Sequence, residues 1–151
     1  MTTFTIKDVA ETTGLSIFTI RFYDKEGLLP FVSKDASGRR VFTESDLYMI
    51  RTICCLKNTG MQIKEIKKYI DYCMEGTSSI DLRKNLMAEH RQKILADIEA
   101  LRENLNLVES KLEIYDSPHA VEIINGQIQH VGDEKRKNSL PNPYSKDKIP
   151  N

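Results

Sequence analysis

The sequence predicts a mainly α-helical chain: a run of short helices carrying a small hairpin, then one long coiled-coil helix, then a small C-terminal β-hairpin. Three observations lead to that class. Gly and Pro punctuate the first 76 residues as helix stops, Ser79 to Tyr115 contains neither, and Asn125-Gly126 lies between two β-prone runs.

The first helix starts at Thr5. Ile6, Val9, Ala10 and Thr13 form a helical stripe behind that cap, Asp8 suits the first turn, and Gly14 ends it. Ser16 caps a second helix running to about Glu26, with Gly27 just past its end and Leu28 placed for the accompanying hydrophobic contact. Two helices of this length joined by a short Gly-containing turn, over about residues 5–25, have the helix-turn-helix spacing. On the second helix, at about 100° per residue, Ile17, Ile20 and Asp24 share one face. Phe18, Thr19 and Phe22 occupy the opposite face, flanked by Arg21 and Tyr23. A helix entering a major groove presents such a face, with its N-terminal turn at base edges and phosphates. A solvated helix with surface aromatics has the same pattern, so more is needed to decide.

Leu29–Val32 and Arg40–Phe42 are β-prone runs around a Ser37-Gly38 turn, a hairpin wing over about residues 29–42. Arg39 and Arg40 sit where a wing tip reaches a phosphate backbone, though two solvated arginines beside a turn look no different. Thr43, with Asp46 three residues on, caps a third helix whose Leu47, Ile50 and Cys54 share a face, and Gly60 ends it. Ile63, Ile66, Ile70 and Cys73 mark a fourth helix ended by Gly76.

Ile94, Ile98, Leu101, Leu105, Val108, Leu112 and Tyr115 alternate spacings of four and three, an a/d seam of about three heptads. A helix from Ser79 to Tyr115 would be roughly 55 Å long, more than the preceding helices can cover beyond Leu82 and Leu86, so a homodimer through residues 79–116 is expected. Asp116-Ser117-Pro118 stops it. Val121–Ile124, Asn125-Gly126 and Gln127–Val131 read as a hairpin over residues 119–132, and Lys, Asn, Ser and Pro dominate a tail at 133–151 that reads as disordered.

Composition bounds the function. The 151 residues, 40% apolar, suit one to two modest domains. Apolar runs are short and Met1-Thr2-Thr3-Phe4 lacks the pattern of an export signal, so a cytoplasmic protein without a membrane partner is expected. Cys54, Cys55 and Cys73 are odd in number and close no disulfide framework. The zero net charge divides into +1 over residues 1–75, −3 over 76–132 and +2 over 133–151, so it does not exclude a nucleic-acid binder that relies on a few placed arginines. An enzyme built on Cys54-Cys55 would need a base and a pocket, and adjacent helical cysteines diverge; no enzyme and no cofactor is expected. A plain coiled-coil interaction protein would leave the helix pair and wing without a role.

Thr19-Ile20-Arg21-Phe22-Tyr23-Asp24-Lys25-Glu26-Gly27-Leu28-Leu29-Pro30, then Gly38-Arg39-Arg40-Val41-Phe42, Asp46-Leu47 and Gly60-Met61-Gln62-Ile63-Lys64-Glu65-Ile66-Lys67, together resemble the winged helix-turn-helix domain of MerR-type transcriptional regulators, over nearly all of residues 4–75. The family commonly has two adjacent tyrosines where this chain has Phe22 and Tyr23, so Phe22 brings no hydroxyl to a phosphate. The resemblance implies an antiparallel coiled-coil dimer on a pseudo-palindromic promoter operator. It further implies an effector-triggered bending and untwisting of the double-stranded DNA that lets RNA polymerase engage. DNA contacts are then expected from Ser16, Phe18, Thr19, Arg21, Phe22, Tyr23, Arg39, Arg40 and Lys57. Metal-sensing relatives place a cysteine where this chain has Ser78 and Ser79, and His90, His119 and His130 are scattered, so no metal is expected. Drug-sensing relatives carry a large C-terminal domain, for which the residues after Asp116 are too few. Relatives with short C-terminal segments respond to aldehydes, electrophiles or nitric oxide through a cysteine in the third helix, which Cys54 resembles by position. Arg51 and Lys57, one turn either side, are expected to favour its thiolate in a stress response. A repressor, or a small-ligand-responsive regulator with structural cysteines only, is the alternative.

Overall fold

The computed structural model describes residues 2–144. Six helices and one two-stranded sheet follow in order: α1 (Ile6–Thr13), α2 (Ile17–Lys25), β1 (Ser33–Lys34), β2 (Arg40–Val41), α3 (Glu44–Asn58), α4 (Ile63–Met74), α5 (Ile80–Asp116) and α6 (Ala120–Lys137). The chain divides into two compact units, Met1–Ala96 and Asp97–Asn151.

In the first unit the helix boundaries follow local chemistry. Thr5 and Asp8 make a reciprocal capping box at α1, and the Thr5 backbone N–H holds the Asp8 carboxyl below its ordinary range. Thr43 and Asp46 repeat the device at α3, with the Thr43 N–H donating to Asp46 Oδ2 at 2.9 Å. Helix α2 ends in a Schellman motif: Leu28 N–H reaches Tyr23 O at 2.9 Å and Gly27 N–H reaches Asp24 O at 3.1 Å, which requires the left-handed φ of +80° at Gly27. Helix α3 ends the same way, Met61 N–H bonding Leu56 O. The core gathers one apolar face from each of α1 to α4 and side chains from the segments between them, with Val9, Ile20, Leu28, Phe42, Ile50, Ile53, Ile66 and Ile70 all but fully buried.

The wing differs from its expected strands. Leu29 and Val32 are core residues, and the first strand is Ser33–Lys34, pairing Ser33 with Val41 and Lys34 with Arg40. Pro30 has no N–H for a ladder, and Val32 N–H closes a turn on Leu29 O, so pairing starts only after that turn. Asp35 Oδ1 accepts from Ser37 and Arg39 N–H, both at 2.9 Å, fixing the turn at the tip. Beyond α4, a 3₁₀ turn at Gly76–Ser79 leads into α5. Ser79 is fully buried there and donates to the Tyr72 carbonyl, and Arg83 from α5 donates to Ser79 Oγ at 3.0 Å and to Gly76 O at 2.6 Å. That guanidinium satisfies the last carbonyls of α4. Near the end of the unit, buried His90 Nε2 lies 2.7 Å from Thr59 Oγ1 at the C-cap of α3, while the Thr59 hydroxyl donates to Cys55 O at 2.7 Å.

The long helix has the expected span and, at 37 residues, is roughly 55 Å long. In the second unit the expected C-terminal hairpin at 119–132 is absent: Asn125-Gly126 lies in the middle of α6. Ala120, Ile124, Ile128 and Val131 recur at helical spacing and are all partly buried, and this stripe, in a helix of 18 residues, outweighs a two-residue turn signal. Lys135, Arg136 and Lys137 in the last turn suit the helix dipole. The expected disordered tail is corrected likewise for residues 133–137, which complete α6, and for 138–144, where Leu140 N–H bonds Lys135 O and the Asn142 amide covers Gly132. Residues 145–151 of that tail lie outside the described residues.

Candidate nucleic-acid interface

Helix α2 turns one side inward and the other to solvent. Ile20 and Tyr23, three residues apart, are buried, whereas Phe18 is 82% and Phe22 40% exposed. Arg21 and Lys25 are exposed beside them. Tyr23, expected on the outer face, is therefore a core residue at 5% exposure; burial pushes its phenol pKa up, and its ring meets Phe22 at a centroid distance of 6.1 Å. At 100° per residue Tyr23 falls between the two faces, and docking of the helix on the core takes it inward. Ser16 and Thr19 form the N-terminus of the helix: Ser16 Oγ accepts from Thr19 N–H at 3.0 Å and lies 2.9 Å from Thr19 Oγ1.

Arg40 was expected beside Arg39 at a phosphate backbone. Instead its guanidinium grips α2: Nε donates to Asp24 Oδ2 at 3.0 Å, Nη2 to Asp24 Oδ1 at 2.7 Å, and Nη1 to the Val32 carbonyl. The two side chains are 24% and 31% exposed, so this is a half-sheltered, bidentate pair that ties wing to helix. No local pattern marks it, since the partners are 16 residues apart. Arg39 is exposed on the wing and Arg21 exposed on α2, and neither joins an ion pair among the described residues. Both line a cleft of about 620 Å³ between the chain start, α2 and the wing, with Thr5, Asp24, Asp35 and Val41. Lys57 is exposed in the last turn of α3 and does not line that cleft.

Cys54 is half-buried against the core, and burial pushes its thiol pKa up. The thiolate-promoting effect expected of Arg51 and Lys57 is not what sets this direction; desolvation is. Cys54 packs on the same core cluster that takes in Tyr23 of α2. Cys55 is exposed and Cys73 half-buried. Tyr69, next to Cys73 one turn on, has its pKa pushed up to about 12, chiefly by burial. Among the described residues no three His, Cys, Asp or Glu side chains are grouped to hold a metal ion. No helix among them is long and apolar enough to cross a membrane. On α5 the seam is open in the single chain: Ile98, Leu101, Leu105, Val108, Leu112 and Tyr115 are 46% to 66% exposed, and Ile94 is half-buried.

Residues 4–73 match the family model described as MerR HTH family regulatory protein. An HTH-type transcriptional regulator of Haemophilus influenzae is 40% identical over 119 residues, covering 79% of this chain and 88% of the relative. The chain belongs to the MerR family. A second relative, the HTH-type transcriptional regulator YyaN of Bacillus subtilis, is 31% identical over 137 residues, covering 83% of this chain and 99% of its own. Among solved structures, HiNmlR, a MerR family regulator lacking the sensor domain and bound to promoter DNA, superimposes with a TM-score of 0.73 at 40% identity, over 80% of this chain and 96% of that one. A MerR family regulator from Bacillus thuringiensis gives 0.69 at 41% identity, over 74% and 98%. As a MerR-family member the chain is a DNA-binding transcriptional regulator.

Proposed function

We propose that two copies of this chain bind a pseudo-palindromic promoter operator, each laying α2 in a major groove and the wing's Arg39 on the adjacent backbone. The carrying observation is the Arg40–Asp24 clamp, which makes helix and wing one rigid surface with Phe18, Arg21, Phe22 and Arg39 facing out. Ser16 and Thr19 present their hydroxyls at the N-terminus of α2, Lys57 adds a charge from α3, and Arg40 acts by position, holding the wing. The open α5 seam supports the dimer, since six of its seven apolar residues at heptad spacing are exposed in one chain. In this reading the cytoplasmic dimer activates by bending and untwisting the DNA, so that RNA polymerase engages both promoter elements, at a deformation cost of roughly 1–6 kcal/mol met by backbone contacts. A mobility shift against the DNA upstream of its own gene tests it. Specific binding is expected at moderate salt; its absence sinks the proposal.

The effector is proposed in two forms. An electrophile or aldehyde acting on Cys54 is favoured by position, because an adduct there would disturb the core on which α2 packs through Ile20 and Tyr23. Structural cysteines with another trigger, in an activator or a repressor, are favoured by the burial that raises the Cys54 thiol pKa. Cys54→Ser decides: it abolishes the transcriptional response to formaldehyde in the first form, whereas in the second the wild type has no such response or the variant keeps it.

A further inference from the structure

We propose that Phe18 reads the C5-methyl group of a thymine in each operator half-site. The inference deepens the DNA-binding reading above and rests on it. Its basis is what α2 has to offer a base edge. Ile17–Lys25 contains no Asn or Gln, the side chains that pair bidentately with adenine. Its one carboxylate, Asp24, which might accept from cytosine, is held by Arg40. The Ser16 and Thr19 hydroxyls face each other across the cap. What remains outward is Arg21 and Lys25 as donors, with Phe18 and Phe22 one turn apart as an apolar strip.

The major-groove floor has one apolar feature a ring can use, the thymine methyl. Phe18 is the ring placed for it. It lies in the N-terminal turn, the part of a recognition helix that meets base edges, and is 82% exposed, whereas Phe22 leans on Tyr23. Its surroundings also fit a polyanion better than an apolar protein partner. Arg21 and Lys25 stand beside the strip on α2, and no collar of further exposed apolar side chains encloses it on that helix.

Removing the methyl should weaken each half-site by about fourfold, the worth of one buried methylene, and a two-fold dimer by roughly 15-fold. The experiment uses duplexes that the wild-type chain selects from random-sequence DNA, with thymines replaced by uracil, which deletes the methyl and leaves the pairing edge. The expected result is one dyad-related pair of positions sensitive to uracil in the wild type and insensitive in Phe18→Ala, with sensitivity elsewhere unchanged. Phe18→Leu, which keeps an apolar tip, should retain part of it. An unchanged thermal midpoint is expected for both variants because the side chain is unpacked. A wild type that binds with no uracil-sensitive pair overturns the proposal, as does a Phe18→Ala variant that keeps the pair. Equal weakening of Phe18→Ala on thymine and uracil duplexes, as for a ring wedged between base steps, also overturns it. If the wild type selects no sequence at all, the DNA-binding reading itself has failed, and the empty selection tells the two failures apart.

Discussion

Substituting Arg40 with Ala separates a clamp from a phosphate contact, because the two roles move different observables. The structure gives Arg40 three donors in use, two on Asp24 and one on the Val32 carbonyl. Exposed pairs are worth up to about 1 kcal/mol, and breaking a buried one costs about 3–5. With side chains 24% and 31% exposed, and a carbonyl left without its partner, the loss should be about 2 kcal/mol. For a unit of under 100 residues that is a fall of roughly 10 °C in thermal midpoint, measured by circular dichroism at fixed protein concentration. Asp24→Ala should cost a similar amount, and the double variant should fall short of the sum by at least about 1 kcal/mol. On DNA, Arg39→Ala should flatten the dependence of log affinity on log salt by about 0.9 per protomer. Arg40→Ala should lower affinity with little change of slope, and Asp24→Asn should weaken binding too. Additive stability losses within about 0.5 kcal/mol, or tighter binding by Asp24→Asn because a freed Arg40 now meets phosphate, would refute the clamp.

Gly126→Ala should stabilise the chain by about 0.5–1 kcal/mol and raise helicity, since Gly126 is a mid-helix residue with nothing within 4 Å of an added Cβ; a type I′ turn there would make the same change destabilising. Leu101→Asp, at 66% exposure in the single chain, should convert a dimer to monomers in sedimentation without loss of helix; an unchanged mass removes the seam from assembly. Toward a thiol reagent near neutral pH, exposed Cys55 should react before Cys54, and Cys54 labelling should rise only at higher pH than an ordinary thiol's, because burial raises its pKa and so lowers its thiolate fraction at any given pH. Comparing Cys54→Ser with Cys55→Ser labelling across pH checks this, and faster loss of the Cys54 thiol contradicts it.

What could be read from sequence was what short-range chemistry decides. Thr5 with Asp8 and Thr43 with Asp46 announce their helices because both partners of each cap lie within four residues, and Gly27 announces the end of α2 through a φ that side chains disfavour. The long helix was legible because nothing in Ser79–Tyr115 interrupts it. Tyr23 was not, since a residue at the border of two helical faces is assigned only when the helix docks. The Arg40–Asp24 and His90–Thr59 links join elements far apart in the chain, so no local pattern records them. At Asn125-Gly126 a strong local turn signal met a helical stripe and lost, because the stripe involves more residues.

The grip of Arg40 on Asp24 also bears on how length is measured along an operator. A reading head whose wing cannot swing away from its helix has no slack with which to absorb a misplaced half-site. In the proposed dimer each inserted base pair turns one half-site by about 34–36° and moves it by about 3.4 Å relative to the other. Such a pair of heads works as a caliper: a wrong interval must be corrected by the DNA, and the energy of that correction becomes the selectivity.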